Sequence, residues 1–598
     1  MHSPVISIKT YLSLAFALVA TVIASHFVPS IYQLFSKSHD QELLIVFFHI
    51  SVLFILSFLI HHLSKRTIFP SFVVAIFFGM AAHELLATIT TNHDLLRILV
   101  GIGATFILFS GGLETPFCHF RKHIAKILSL STFGLLITAI LLSFVLINLG
   151  SLLGQTVPLV VAILLGAILV STDPAAIIPV LKTLRFNNPK TKAIAISESA
   201  VTDVFGALLT IVFLSQLGPL TKGSPAIWGG SIFTAYTTTF SGAAGAILLK
   251  ELLFGALFGI FGFGLLFFLR SFTKKNAVEE SVDAAYFIFV PIVIYTLAVS
   301  FGGSGYLAAF VAGLLFMVVR HMHETEKFFD HMVEGFLKPM IFILLGALVD
   351  VTTLIEYAGI GLIASLIFMF FIRPLAVFIS LSPFWLISKD PLSWKELLFI
   401  SFVRETGAIP AVLLVSVVGA GISGIESLLP IGMWVILSTL IIEPPLTPWV
   451  ALKLGVAKPI GDNVALRLGS DGEPFVVLGS RGHSFARRLP FVTEWATKHH
   501  IYHIVLLLCL ESRYTQALSN DMKKQAEVEI QKINKSREEA NMQPIYFEFV
   551  SRKGFLQENI DDISKQKQHV SAIFVGRKVL DYKLEEIKRI TVPLVFID

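Results

Sequence analysis

Charged residues are scarce in this chain, since Asp, Glu, Lys and Arg make up only 15% of its 598 residues. Soluble globular proteins carry about 25%. The scarcity is also uneven, because almost half of the charged side chains lie between Lys453 and Asp598. This distribution excludes an ordinary soluble enzyme for most of the chain. It predicts a membrane-embedded region followed by a water-soluble one.

Cysteine is nearly absent as well. Cys118 and Cys509 are the only two, so the chain has no disulfide framework and no Cys/His metal cluster. The net charge of +5 is too small to indicate nucleic acid as a partner. The 53 phenylalanines lie mostly in apolar runs, which indicates lipid contact instead of base stacking. We therefore predict no cofactor and no nucleic-acid partner.

Long apolar runs dominate what is present. A helix needs about 20 apolar residues to cross a bilayer, and the sequence contains fourteen segments of this kind. A less apolar stretch, 225–248, is expected to form an interfacial helix. The fourteen segments are 11–31, 43–63, 68–89, 95–114, 124–149, 156–181, 192–217, 250–271, 283–300, 305–320, 332–350, 355–381, 395–418 and 427–450.

Loop charges predict the orientation of these spans, because Lys and Arg are enriched in cytoplasmic loops. With a cytoplasmic N-terminus, the inner loops receive most of the basic residues, among them Lys65, Arg121 and Lys190. The outer loops receive little beyond Lys37 and Lys222. We therefore expect an even number of spans, with both ends in the cytoplasm.

Four regions follow from these patterns. Residues 1–42 form an extra transmembrane segment or a signal-like helix, whose removal would leave thirteen spans. Residues 43–452 form the transmembrane domain, and 453–472 form a linker. In 473–598, strand-like runs alternate with helical stretches, which predicts a parallel sheet covered on both faces. The fold class is thus an all-α polytopic membrane protein with 13–14 transmembrane helices and a C-terminal α/β domain.

Two of the spans contain helix-breaking residues. Asp173 lies inside the apolar run of the sixth span and is followed directly by a proline, which disfavours helix at the preceding residue. The thirteenth span carries Gly407 and Pro410 just after Arg404. Irregular backbone at membrane depth is tolerated only where it is protein-buried or lines a wet cavity. Both breaks are therefore candidate parts of an ion site.

Ionisable residues inside spans are functional candidates, because burying a charge in a bilayer is costly. Glu198 and Asp203 in the seventh span are five residues apart, about 140 degrees around a helix, so they face different directions. We expect Asp203 to face a cavity. Glu198 is expected to pair with Arg404, since an unpaired charge there would be severely destabilising.

The position of the breaks indicates an inverted repeat. If the eighth span is a linker, spans two to seven and nine to fourteen form two sets of six, and each set has its break in the fifth helix. Interrupted helices at corresponding positions of two halves point to a transporter with its site at the helix crossing.

These features resemble the monovalent cation:proton antiporter superfamily, in its NhaP-type and sodium/proton exchanger branch, over residues 43–450. The motifs that carry the resemblance are LFSGGLE (108–114), STDPAA (171–176), ESAVTD (198–203), FIRPL (371–375) and RETGAIP (404–410).

The resemblance implies a role for each site residue. Asp203 would bind the cation and carry the proton. The cation would also be surrounded by Asp173, the Thr172 carbonyl and Ser199. Glu198 and Arg404 would form a structural ion pair. Thr202 stands where the branch usually has Asn, which leaves open which cation is selected. No second carboxylate occurs at that position, so the resemblance implies electroneutral exchange of one Na⁺ or K⁺ for one H⁺. It also implies a homodimer, in a bacterial inner membrane, that is not an enzyme.

Other interpretations stay open at this point. Asp173 can simply cap a half-helix, and Asp203 can be a structural buried acid. Arg373 is expected to stabilise a helix end, and Lys338 to extend to the membrane interface. The main functional alternative is a gated cation channel with a cytoplasmic sensor, and a membrane-embedded hydrolase is more distant.

The C-terminal region resembles a universal-stress-protein domain over 473–598. Its stretch FVGRKVLDYKLEEIKR has only Gly576 where nucleotide-binding members have a glycine-rich cradle, which argues against nucleotide binding. Gly479 and Gly482 leave open a degenerate dinucleotide-sensing module. A regulatory or dimerising cap without a ligand is the third alternative.

Overall fold

A computed structural model describes most of the chain, and it divides into two compact units, 1–458 and 459–598, which are described separately. The described residues are 8–35, 40–64, 70–115, 117–172, 181, 184–217, 231–275, 284–316, 323–384, 391–422, 424–459, 475–480, 488–499, 501–510, 516–539, 545–553, 570–576 and 594–597.

The first unit is almost entirely helical. Its α-helices are Ile8–His26, Val28–Phe35, Gln41–Ser64, Ser71–Ala81, Ala87–Thr91, His93–Glu114, Phe117–Ser129, Leu135–Leu152, Leu159–Ile168, Pro189–Leu217, Ile232–Thr239, Gly242–Lys275, Ala284–Ser300, Gly305–Phe316, His323–Met332, Lys338–Ala347, Val351–Glu356, Ala358–Ile367, Arg373–Leu381, Trp394–Phe402, Ala408–Val418 and Leu428–Lys453. A 3₁₀ turn, Glu84–Leu86, and three π-helical turns, Leu130–Gly134, Val333–Leu337 and Phe368–Ile372, connect some of them.

The polytopic prediction is confirmed. Within the described residues, seven helices are long and apolar enough to cross a membrane, and an eighth is added if one bent pair counts as a span. Each of the fourteen predicted segments overlaps at least one described helix. The seven are Gln41–Ser64, His93–Glu114, Phe120–Leu152, Lys190–Leu217, Ala244–Leu269, Ala358–Leu381 and Leu428–Lys453.

Two segments differ from the sequence prediction. The expected continuous span 68–89 is bent by 87° between Ala81 and Glu84. The expected interfacial helix 225–248 is divided, because the helix Ile232–Thr239 ends in a turn and a new helix begins at Gly242. Gly242 has a φ of +58°, a conformation open to glycine at little steric cost, so a reversal is possible here without strain.

Both predicted helix breaks are present. The helix Leu159–Ile168 ends before Ser171 and Thr172, which are not helical. The helix Trp394–Phe402 is followed by five non-helical residues, and a second helix starts at Ala408. The two breaks are in contact, since the guanidinium of Arg404 donates a hydrogen bond to the carbonyl of Val170.

Four glycines show how the two sets of six helices interlock. A methyl group added at Gly79 or Gly346 would overlap the backbone of the other's helix, so the second helix of the first set touches the third helix of the second set. Gly112 and Gly313 join the third helix of the first set to the second helix of the second set in the same way. This exchange of partners is the pattern expected of two halves related by a pseudo-two-fold axis.

The second unit contains a five-stranded parallel sheet, as predicted. Its strands are β3 Phe475–Ser480, β4 His503–Leu510, β5 Tyr546–Lys553, β6 Val570–Gly576 and β7 Leu594–Ile597, in the order β5-β4-β3-β6-β7. All neighbours are parallel. Two short strands that precede them in the chain, β1 Leu184–Phe186 and β2 Ala457–Pro459, form a separate two-stranded sheet. Two described helices, Leu489–Lys498 and Gln516–Glu539, pack against β4 and β5.

The close approach at Gly112 predicts a stability effect. We expect Gly112→Ala to lower the free energy of unfolding by about 1–3 kcal/mol, because the new methyl would overlap the Phe310 carbonyl and lie 2.7 Å from the Leu314 nitrogen. Thermal unfolding of the purified protein in detergent measures the effect. Gly101→Ala in the same helix is the control, since nothing lies within 4 Å of an added methyl there. Equal melting temperatures for the two variants would contradict the packing argument.

Candidate ion-binding site

Asp203 lies midway along the long helix Pro189–Leu217 and is only 5% exposed. The hydroxyl of Ser171 donates a hydrogen bond to its Oδ1 at 2.7 Å. Ser171 belongs to the first break, where the chain has left the helix Leu159–Ile168. Because Ser171 lies outside the helix, its hydroxyl is placed to bind the Asp203 carboxylate.

Three buried hydroxyls lie beside this carboxylate. The Thr172 hydroxyl is 3.0 Å from the Ser199 hydroxyl and 3.1 Å from that of Thr202. Ser199 also donates to the Thr172 carbonyl at 2.9 Å. The structure thus brings together Thr172, Ser199, Thr202 and Asp203, four of the residues singled out from the sequence. Asp173 lies outside the described residues.

Glu198 points to a different set of partners. Its Oε1 accepts from Arg373 Nη2 at 3.0 Å and from Arg404 Nη1 at 3.3 Å. All three side chains are at most 2% exposed. The pairing with Arg404 is the one proposed from the sequence. Arg373, expected to stabilise a helix end, is the first residue of the helix Arg373–Leu381, and its buried guanidinium contacts Glu198.

A second acid balances the two guanidinium groups. Glu443 on the helix Leu428–Lys453 is 1% exposed and interacts electrostatically with both Arg373 and Arg404. Arg404 also interacts electrostatically with Asp203, so Glu443 is one of three acids near the two arginines. Buried charges of one sign are costly in a medium of low polarity unless acids of this kind compensate them. Sequence reasoning missed Glu443, although a single acid in an apolar run followed by two prolines was a usable signal.

The second break is held by a threonine pair. The backbone N–H of Thr406, freed by the loss of helix, donates to Thr439 Oγ1 at 3.3 Å. The two threonine hydroxyls are also hydrogen-bonded to each other. Side chains of a neighbouring helix therefore satisfy backbone groups that would otherwise be exposed in the bilayer.

A small cavity adjoins Asp203. Its volume is about 10 Å³, close to the space that one water molecule requires. The lining includes the polar side chains Asp203, Glu114, Ser110 and Lys338, together with apolar residues such as Phe310. Lys338 was expected at the membrane interface, but it is 4% exposed and its Nζ lies 2.6 Å from Glu334 Oε1. That expectation was wrong because an acid one turn away holds the ammonium inside.

The site offers oxygen atoms in place of a resident metal centre. Within the part of the chain that the structure describes, no group of three or more His, Cys, Asp or Glu residues could hold a metal ion. A carboxylate with several hydroxyls and a carbonyl suits a hard cation that passes through, because these neutral and anionic oxygens can replace its hydration shell.

Two interlocked sets of helices, each interrupted where they meet around a buried carboxylate, define a secondary-active transporter. The family described as "Sodium/hydrogen exchanger, transmembrane" matches residues 50–453, and the chain belongs to this family. The sequence-based assignment to the cation/proton antiporters is confirmed. Nothing in this assignment supports the channel alternative.

Individual relatives agree with the family. The K(+)/H(+) antiporter NhaP of Alkalimonas amylolytica is 27% identical over 70% of this chain and 69% of its own length. The K(+)/H(+) antiporter NhaP2 of Shewanella sp. (strain MR-4) is 27% identical over 59% of this chain and 56% of its own. The solved sodium proton antiporter MjNhaP1 of Methanocaldococcus jannaschii superposes with a TM-score of 0.52 at 23% identity, covering 69% of this chain and 99% of that one, and shows the same fold.

The charge balance around Glu198 predicts that Glu443 is required for stability. Glu443→Gln would remove one of the acids that interact with the two buried guanidinium groups, and we expect a loss of about 3–5 kcal/mol in the free energy of unfolding. Thermal unfolding in detergent measures it, with the exposed Glu356→Gln as the matched control. A melting temperature for Glu443→Gln equal to that of the control would show that Glu443 does not compensate the arginines.

Proposed function

We propose that this protein exchanges one monovalent cation, Na⁺ or K⁺, for one proton across a membrane, and that the two ions compete for Asp203. The observation that carries the proposal is the position of this carboxylate. It is buried where the first helix break supplies Ser171 and Thr172, and it also lines a water-sized cavity. A purely structural acid would not need to line a cavity.

Competition at one group couples the two fluxes. A single carboxylate can hold a proton or a partly dehydrated cation, but not both. The hydroxyls of Thr172, Ser199 and Thr202 and the Thr172 carbonyl are the neutral oxygens that would replace water around the cation. Movement of one helix bundle against the other then carries whichever ion is bound, so opposite fluxes are linked without a chemical energy source.

An electroneutral cycle is supported by the charges next to Asp203. The preceding residue, Thr202, is neutral. Glu198 is committed to Arg373 and Arg404 and is therefore a poor candidate for a second proton carrier. One carboxylate that alternates between one proton and one cation moves no net charge.

The names of the relatives include both potassium and sodium antiporters, so both cations are candidates here. The enrichment of Lys and Arg in alternate loops supports a cytoplasmic C-terminal α/β domain. We also propose a bacterial inner membrane as the location of the protein. For that domain we propose a regulatory role without a bound nucleotide. The homodimer implied by the resemblance stays a prediction, which the mass of the detergent-purified protein tests.

Asp203→Asn is expected to abolish exchange, because the amide can neither bind a proton nor neutralise a cation. The purified variant is reconstituted in liposomes containing a pH-sensitive dye, and gradients of Na⁺, K⁺ and Li⁺ are imposed in turn. Asp94→Asn, an exposed acid in another helix, is the control and should exchange normally. Cation-driven proton flux that persists in Asp203→Asn would refute the proposed function, and flux without proton coupling in the wild type would favour a channel.

Ser199→Ala is expected to raise the KM for the cation about three- to tenfold, because one oxygen ligand and its hydrogen bond to the Thr172 carbonyl are lost. The same dye assay gives KM and the maximal rate. Ser197→Ala on the same helix is the matched control, since the buried Ser197 hydroxyl has no hydrogen-bond partner among the described residues. If both variants keep the wild-type KM, Ser199 does not contact the ion.

A further inference from the structure

The cavity beside Asp203 has a built-in positive charge in its wall. Asp203, Glu114 and Lys338 are its ionisable lining residues among those the structure describes. The Lys338 side chain is 6% exposed, whereas its partner Glu334 is 32% exposed. Lys338 therefore shares a cavity with the buried Asp203, while its ammonium is paired with a carboxylate that is partly accessible to water.

Glu334 and a second acid come from the segment that carries Lys338. Asp330 and Glu334 precede it on a helix that continues through the π-helical turn Val333–Leu337. Asp330 accepts a hydrogen bond at 2.9 Å from Ser110, which is also a wall of the cavity. His331 and Lys338 interact electrostatically with Asp330. The acids on this side attract cations towards the cavity, and Lys338 is the group that opposes them.

An ammonium near a cation site acts on affinity through charge alone. At an effective dielectric constant near 20, a unit charge a few Å away changes the affinity for another cation on the order of tenfold or more. A transporter benefits from such electrostatic repulsion, because an ion that is bound too tightly is not released within a turnover. Glu334, only 2.6 Å from the ammonium, offsets part of that repulsion.

We propose that Lys338 sets the apparent cation affinity of the exchanger. Its ammonium, held by Glu334 in the wall of the Asp203 cavity, competes electrostatically with the transported cation, and the pairing with Glu334 fixes how strongly it competes. Lys338 thus sets the affinity for the cation without having to touch it. The inference rests on the proposed exchange at Asp203.

The test uses the full-length protein in liposomes with the dye assay. Lys338→Met removes the charge and keeps the length of the side chain, so KM should fall about three- to tenfold. Glu334→Gln releases the ammonium towards Asp203, so KM should rise by a similar factor. In the double variant Lys338→Met/Glu334→Gln, KM should equal that of Lys338→Met, because the effect of Glu334→Gln acts through Lys338. Lys338→Arg keeps the charge and should retain a KM near the wild type, and Lys395→Met, on the surface, should not change it.

Several outcomes would overturn the proposal. One is an unchanged or raised KM in Lys338→Met, or a lower maximal rate in that variant with no change in KM. Another is a rise in KM from Glu334→Gln that persists when Lys338→Met is also present. If Lys338→Met does not fold, Lys338→Gln is interpreted in the same way, and the prediction for Glu334→Gln stands by itself. Failure of exchange in the wild type, or its survival in Asp203→Asn, would contradict the proposed function instead, so the two failures are distinguishable.

Discussion

The buried contact between Glu198 and two arginines is the interaction on which the rest of the transmembrane unit depends. Arg404 lies in the second helix break and also donates to the Val170 carbonyl at the first, so one guanidinium joins the two interruptions. Glu198 is five residues before Asp203 on the same helix. Fixing Glu198 therefore fixes the depth and direction of the Asp203 carboxylate. Such a network is costly to bury, and it is stable only because every member has an oppositely charged neighbour.

The fold separates rigid helix contacts from an adaptable crossing. Glycines at Gly79, Gly112, Gly313 and Gly346 let backbones touch without side chains between them, which gives close van der Waals packing between the two halves. At the crossing, the chain uses hydroxyls and carbonyls instead. Irregular backbone there frees the N–H of Thr406, which donates a hydrogen bond to the hydroxyl of Thr439. Close packing and polar contacts thus use different residue types of the same unit, glycines in the first case and hydroxyl-bearing residues in the second.

Charges around the cavity divide between two tasks. Glu198 forms buried ion pairs with Arg373 and Arg404, Glu443 interacts electrostatically with both arginines, and these contacts hold structure. Asp203, which shares its cavity with Glu114, is the carboxylate proposed to exchange ligands, with Lys338 in the wall of the same cavity. Under the proposed function, this division would let Asp203 alternate between a proton and a cation without disturbing the ion pairs that hold its helices.

The sequence by itself determined the polytopic class, the two broken spans, the parallel sheet and the pairing of Glu198 with Arg404, because these follow from local signals: apolar length, proline, and the high energy of a lone charge in a bilayer. Only the tertiary structure decided that Arg373 also binds Glu198, that Glu443 balances the pair, and that Lys338 turns inward to Glu334. Those contacts join residues from separate helices or depend on which way a helix face is turned. Helix orientation is set by packing against neighbours, and no short stretch of sequence records it.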